Sequence, residues 1–370
     1  MSVSVLSDRT RLHRDDTDVN SCDICHRIAK GWLAMRIQAG ASEEDRILMA
    51  RAAWLYHIGG LNQEATARRL GLTRARVNKL LSEARDSGLV SITINSANVG
   101  LLPVEEAIRT RHRLEFCICT PALGHDLDPA GSEAVLAPFA FRAVGAAAAA
   151  HLRRHLSETP LAVIGTGWGR TLEQMTLQLA GVSAPQARFI SLMGSLTSNL
   201  AYNPFEVVHS LARTTGAEGF LLPVPFIADA PEVRDILLSQ QSVQQALQLA
   251  RSTTAAYISI GELRETSLLR TQGMISAREL EELREAGAVG DTNGIFFDAA
   301  GHPVEHPLNL RTIALGFEDL ARTCTIALVA GRSKLKAIRG FLASGVARGL
   351  IIDGDTAVEL AKEGGPPGPR

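Results

Sequence analysis

Residues 63–82 read QEATARRLGLTRARVNKLLS. Each position in this stretch has a physical job. Ala67 is small enough for two helices to cross closely, and Gly71 can take the positive φ that a tight turn demands. Val77 and Leu80 are three apart, on the inner face of the second helix. Thr73 caps that helix, its hydroxyl accepting an orphan backbone N–H. Arg74, Arg76, Asn78 and Lys79 fall near the helix N-terminus and on its outer side, where a recognition helix meets base edges and phosphates. With Gln63 opening the first helix, the spacing predicts a helix-turn-helix and, through it, binding to double-stranded DNA.

Charge supports this reading. Between Leu61 and Arg85 the bases are Arg68, Arg69, Arg74, Arg76, Lys79 and Arg85, against the acids Glu64 and Glu83. A charge run by itself is usually a solvated face. Bases gathered on a helix that opens after a capped turn mark a nucleic-acid surface. The whole chain carries a net charge of −1, so affinity for DNA has to come from this local patch.

The 370 residues suit two or three domains, and 46% hydrophobic content is ample for their cores. No apolar run approaches the roughly 18 residues needed to span a bilayer. The opening MSVSVLSDRTRLHRDD lacks the apolar stretch of a signal peptide. Five cysteines, an odd number at wide spacing, do not form a disulfide framework. The expectation is a cytoplasmic protein with no membrane segment. Cys22, Cys25 and His26 form a C-x-x-C-H string. No second ligand pair stands at finger-like spacing, so it reads as a chance cluster, and no metal or cofactor is expected.

Working outward, residues 1–41 read as an irregular leader, with at most a short helix near Ile24–Ile37. Ser42 followed by Glu43, Glu44 and Asp45 starts a helix, with acids where the dipole favours them. That helix runs through Ile47, Leu48, Ala52, Leu55 and Tyr56 and stops at Gly59-Gly60. Gly88 ends the second helix of the pair, and Leu89–Asn95 alternates as a strand would, forming a small wing. Residues 42–95 therefore form a winged DNA-binding domain, 96–103 a linker, 104–362 a second domain and 363–370 a disordered tail.

The second domain has another rhythm. After a helix at Val104–His112 and a strand at Glu115–Thr120, strands are expected at Leu161–Ile164, Arg188–Leu192, Ala256–Ile260, Cys324–Val329 and Gly349–Ile352. Between them lie helices such as Ala134–Leu156, Leu172–Ala180, Phe205–Thr214, Val233–Leu249 and Lys334–Ala343. The alternation indicates an α/β fold with a parallel sheet. Such sheets bind ligands at the carboxyl ends of their strands.

Three loops fit that location. Gly165-Thr166-Gly167-Trp168-Gly169-Arg170-Thr171 joins a strand to a helix. Its glycines admit a ligand to the backbone, the helix offers free N–H groups, and Arg170 and Thr171 add donors, which together predict an anion site. It is neither a Walker loop nor a dinucleotide fingerprint, since no Gly-Lys-Ser/Thr is present and the glycine spacing differs. Met193-Gly194-Ser195 follows the second strand of the alternation. Ala330-Gly331-Arg332-Ser333-Lys334 follows a later one, and Lys334 reads either as a surface lysine or as a point charge toward a phosphate. A fourth element, Gly287-Ala288-Val289-Gly290-Asp291, closes the helix Ala277–Glu285. It reads either as a routine C-cap or as a placement of Asp291 to accept hydrogen bonds from a polyol.

The chain resembles the SorC family of bacterial transcriptional regulators over roughly residues 45–362. Four motifs in order carry the resemblance: GLNQEATARRLGLTRARVNKLLSEARDSGLV, GTGWGRTL, GAVGDTNGIFFDAAG and AGRSKLKAIRGFLASGVARGLIIDGDTA. The resemblance implies a C-terminal domain with the fold of sugar-phosphate isomerases, glucosamine-phosphate deaminases and CoA-transferases, kept as a sensor. It implies phosphorylated sugars or sugar alcohols as effectors, control of carbohydrate operons, and a tetramer built as a dimer of dimers. By motif match, Gly165–Thr171 would cradle the phosphate, Lys334 would contact the effector, and Asp291 would meet the sugar. Gly194 and Ser195 match less closely. The chain departs from the pattern at Thr66, where an apolar residue is usual, at Ala330, which replaces a glycine, and in its long leader. A sugar-phosphate enzyme is the rival reading and would need a positioned base. The nearest histidines, His302 and His306, flank prolines in what reads as a surface loop, so no catalytic residue is assigned.

Overall fold

The computed structural model describes residues 43–87, 89–90, 101–122, 124, 133–179, 181–195 and 204–362. All but the first two residues of the expected wing strand, Cys22-Cys25-His26, the leader, the C-terminal tail and most of the linker lie outside these residues. The chain divides into two compact units, one up to Ala84 and one from Arg85 onward.

The first unit is helical. Glu43–Ala53 continues into a wider π-helical turn, Trp54–Ile58, and Gly60 leaves it at φ 67°. Gln63–Leu70 and Arg74–Asp86 follow. Asn62 caps the former by accepting the Ala65 N–H at 2.8 Å. Between the two, Gly71 sits at φ 68°, the left-handed conformation that favours glycine. Ala67, Val77, Leu80, Leu81 and Ala84 are all buried, so one face of each helix forms the core expected from the spacing. Thr66 is also fully buried, and its hydroxyl has no hydrogen-bond partner. This is a polar atom where an apolar side chain would cost less.

The second unit is built on a seven-stranded, wholly parallel sheet. Its strands are β1 (Phe116–Cys119), β2 (Val163–Thr166), β3 (Arg188–Ser195), β4 (Glu218–Pro225), β5 (Ala255–Ser259), β9 (Cys324–Val329) and β10 (Gly349–Ile352), in the order β1-β10-β9-β5-β2-β3-β4. The strands read as nearly continuous apolar runs because helices cover both faces. One face buries Ile164, Phe189, Tyr257, Ile326 and Ile351 under helices Glu133–Glu158, Arg170–Leu177 and Pro204–Thr215. The other buries Leu192, Ile258, Val329, Leu350 and Ile352 under Leu102–His112, Gln241–Arg251, Leu335–Ala343 and Gly354–Lys362. A small antiparallel sheet, β6 (Gly261–Glu262), β7 (Gly290–Thr292) and β8 (Ile295–Phe297), is inserted after β5.

Several expectations need correction. β4 was not anticipated. It carries Pro223 and Pro225, which cannot donate to a ladder, and a shift in register against β3; an edge strand tolerates both. The single helix expected over Val233–Leu249 is two, Pro231–Ser239 and Gln241–Arg251, parted by Gln240 in an extended conformation at ψ 135°. Only the second buries residues fully, at Val243, Leu247 and Ala250. Leu161 is exposed in a turn ahead of β2 rather than inside it. The first helix of this unit begins at Leu102, two residues earlier than expected, with proline in its first turn.

Candidate functional site

The strand order has one crevice where connections diverge. From β2 the chain proceeds through β3 to β4 on one side, whereas β5 pairs on the other side of β2 and leads toward β9. Loops leaving two such strands at their carboxyl ends cannot cover each other, and a cleft remains. A pocket occupies this place. Trp168–Thr171 after β2, Ser259–Glu262 at the end of β5, and Lys334 after β9 line it. Asp291 and Asn293 of the β7–β8 hairpin, the segment Thr266–Leu269 and Phe141 complete it.

The glycines in and after β2 do different work from that expected. A Cβ on Gly165 would strike the Leu192 and Thr253 side chains, so this glycine serves sheet packing. Thr166 lies fully buried in β2. Gly167 donates its N–H to the Tyr257 carbonyl at 2.9 Å, and a Cβ there would lie 2.6 Å from Asn293 Oδ1. Only Gly169 adjoins the cavity. At φ 124° it turns the chain into the helix Arg170–Leu177 and supplies no side-chain cap, and the first turn of that helix borders the cavity. Gly194 and Ser195 do not line this pocket; Gly194 packs against the β4 backbone and donates to the Ile313 carbonyl.

The cationic side chains converge. The Arg170 guanidinium lies 5.5 Å and the Lys334 ammonium 5.9 Å from the centre of the Phe141 ring, so both gather about one aromatic ring. Lys334 ends a single 3₁₀ turn, Arg332–Lys334, instead of opening the α-helix, and it donates to the Ile260 carbonyl at 2.9 Å. Burial lowers its pKa, Glu262 opposes that, and Arg170 adds to the lowering. Asp291 is buried. Its Oδ2 accepts the Gly294 N–H at 3.2 Å, and its other oxygen lies against Gly261, where any larger residue would collide. Burial pushes its carboxyl up to about 6, with the Gly294 N–H and Lys334 pulling it down and Glu262 adding to the rise. A polar pocket with two cations and two carboxylates can hold an anion together with hydroxyl groups.

Sequence reading missed Phe141, Ser259, Glu262, Ser267 and Asn293. A signal existed for Asn293: Asn-Gly is the residue pair favoured in a two-residue hairpin turn. Asn293 and Gly294 take that turn at φ 49° and 72°. Of the other four, Ser259, Glu262 and Ser267 lie on one segment at and after the end of β5, and Phe141 reaches the pocket from the helix Glu133–Glu158. His306, expected in a surface loop, is buried, and its Nδ1 caps helix Pro307–Arg311 by accepting the Leu308 N–H at 3.2 Å. His302 is exposed, and no histidine lines the pocket among the described residues.

On the helical unit, Thr73 Oγ1 accepts the Arg76 N–H at 3.2 Å, the expected cap. Gln63 joins the two helices, donating to Asn78 Oδ1 at 3.3 Å and accepting from Arg74 Nε at 3.4 Å. Arg74, Asn78 and Lys79 are exposed together. Arg76 is half-buried and pairs with Asp45 at 2.8 Å, so it ties the first helix of the unit to the third. Lys79 lies 3.7 Å from Glu83 along its own helix.

A family model described as "Putative sugar-binding domain" matches residues 99–362. The chain is 36% identical over 319 residues to the erythritol catabolism regulatory protein EryD of Brucella abortus (strain 2308), covering 86% of this chain and 98% of that one. It is 29% identical over 326 residues to the transcriptional regulator LsrR of Klebsiella pneumoniae subsp. pneumoniae, covering 86% and 94%. Among solved structures, the full-length sorbitol operon regulator SorC from Klebsiella pneumoniae matches the fold with a TM-score of 0.62 at 23% identity, over 86% of this chain and 100% of that one.

Proposed function

The chain belongs to the SorC family of sugar-binding transcriptional regulators, and from that premise we propose that it controls a polyol or sugar catabolic operon by binding operator DNA under the control of a phosphorylated effector. Its relatives are regulators, so the enzyme reading is set aside. The observation that carries the effector assignment is the meeting of Arg170, Lys334 and an uncapped helix N-terminus beside a buried carboxylate, in the crevice between β2 and β5. The cations and the helix N-terminus suit a phosphate, and Asp291 suits a polyol hydroxyl. The name of the Brucella relative makes erythritol phosphates the first candidates.

In this reading Gln63–Leu70 and Arg74–Asp86 form a helix-turn-helix. Arg74, Asn78 and Lys79 face the major groove, Thr73 and Gln63 hold the helix start, and Arg76 contributes chiefly by bracing the unit against Asp45. The regulator works in the cytoplasm as a homotetramer, a dimer of dimers, whose effector-bound and effector-free arrangements present the paired helices differently. A coupling of about 1–3 kcal/mol changes operator occupancy some 5- to 150-fold. The test is titration of the purified protein against DNA upstream of its own gene and of the adjoining operon, at fixed salt with random competitor. Tight binding that shifts on adding a sugar or polyol phosphate is expected. Affinity no better than for random DNA, with or without ligands, would remove the proposal.

A further inference from the structure

Two polar atoms in the pocket have no partner. Ser267 is 6% exposed and Asn293 3% exposed. Both line the cavity, and Ser267 Oγ and Asn293 Nδ2 are buried without a hydrogen bond. Buried donors without partners destabilise a fold, and an orphan in a native structure calls for a reason.

Local structure does not supply that reason for Ser267. It holds the N-cap position of helix Leu268–Thr271, where serine is favoured because its hydroxyl can accept a backbone N–H, yet this side chain makes no capping bond. Its backbone carbonyl is the group that helix uses, accepting from Thr271. The hydroxyl is free to serve the cavity. Asn293 has one structural role, the left-handed turn between β7 and β8, which glycine would fill equally well. Its Oδ1 points toward Gly167, whose missing Cβ makes room for it. The amide nitrogen is thus held in place with nothing to donate to.

We propose that Ser267 Oγ and Asn293 Nδ2 form a hydroxyl-reading subsite of this pocket that selects effectors carrying adjacent hydroxyl groups. Asn293 Nδ2 donates to a ligand oxygen, and Ser267 both donates and accepts, a set that can pair with vicinal hydroxyls, each of which also donates and accepts. A site built to hydrogen-bond a hydroxyl discriminates strongly against the analogue that lacks it, because the protein groups are then left unpaired. This subsite rests on the reading of the pocket as the effector site, and its test separates the two.

The experiment is calorimetric titration of the full-length protein and its variants with inorganic phosphate and with four- to six-carbon polyol monophosphates. The variants are Ser267→Ala, Asn293→Gly and Lys334→Ala. Neither Ser267→Ala nor Asn293→Gly removes a hydrogen bond present in the protein, and glycine keeps the turn. The expected result is a loss of at least tenfold in affinity for the best polyol phosphate in each, with phosphate affinity within twofold of the parent. Lys334→Ala should weaken both ligands. Unchanged polyol phosphate affinity in Ser267→Ala and Asn293→Gly, with Lys334→Ala impaired, would overturn the subsite and leave the effector pocket standing. Absence of binding of every probe to the parent protein would overturn both. Circular dichroism and thermal melts on each variant identify losses that come from misfolding.

Discussion

Asp291 shows how burial and function pull on one residue. Its carboxyl is 5% exposed and titrates near 6, against an ordinary value of 3.8. A carboxyl whose folded pKa is raised stabilises the fold below its unfolded value, and that stability is lost as pH rises through the folded one. The gap corresponds to roughly 3 kcal/mol, missing in full above about pH 6. Asp291→Asn is therefore expected to be more stable than the parent at pH 7.5, with the advantage fading toward pH 4; urea melts at the two values test this. Equal stability at pH 7.5 would mean that the carboxylate is better satisfied than its surroundings suggest. On the proposed effector role of Asp291, the same substitution should also weaken effector binding. Lys334 is the opposite case, a cation whose charge is disfavoured by burial and held by a carbonyl. Its removal should abolish the effector response and leave DNA affinity within about a factor of two, as measured by operator titration at fixed salt.

At the scale of elements, two left-handed glycines carry unequal weight. Gly71, in the turn between the two helices, faces open space, so alanine there meets only backbone strain, about 1 kcal/mol. Gly294, in the β7–β8 turn, has equal strain, but a Cβ would collide with the ring of buried Phe226. That ring packs 6.3 Å from Trp168, which lines the pocket. Gly294→Ala is expected to cost more than about 2 kcal/mol and to disturb effector affinity, whereas Gly71→Ala should affect the helical unit alone. Comparative denaturation and ligand titration distinguish them, and equal costs for the two would contradict this account. The elements themselves were largely legible. The central strands announced themselves as apolar runs, and Gly71 announced its turn. β4 did not, because two prolines disguise an edge strand, and the break at Gln240 has neither proline nor glycine to mark it.

For the whole molecule, the consequence is a division of labour testable by paired variants. Lys79→Ala, on the exposed side of Arg74–Asp86, should weaken operator binding and flatten its salt dependence by about one counterion, with effector affinity unchanged. Lys334→Ala should do the reverse. A variant that loses both activities while still folded would argue that the two functions share one structural unit, against the separation of the chain near Ala84.

The sequence alone determined the alternation that yields a parallel α/β sheet and the inward face of the helix pair with its left-handed Gly71. Each of these depends on local periodicity or on one residue's conformational range, and both are written in neighbouring letters. The composition of the pocket was a tertiary matter. Phe141, the segment Ser259–Ser267 and Asn293 converge from three parts of the chain, beside β2 and β5, which are distant in sequence but paired in the sheet. The fold also reassigned residues that looked equivalent. Of the glycines in and after β2, Gly165 yields to Leu192, Gly167 to Asn293, and only Gly169 opens onto the cavity. What a missing side chain makes room for depends on what packs against it, and strand order alone decides that.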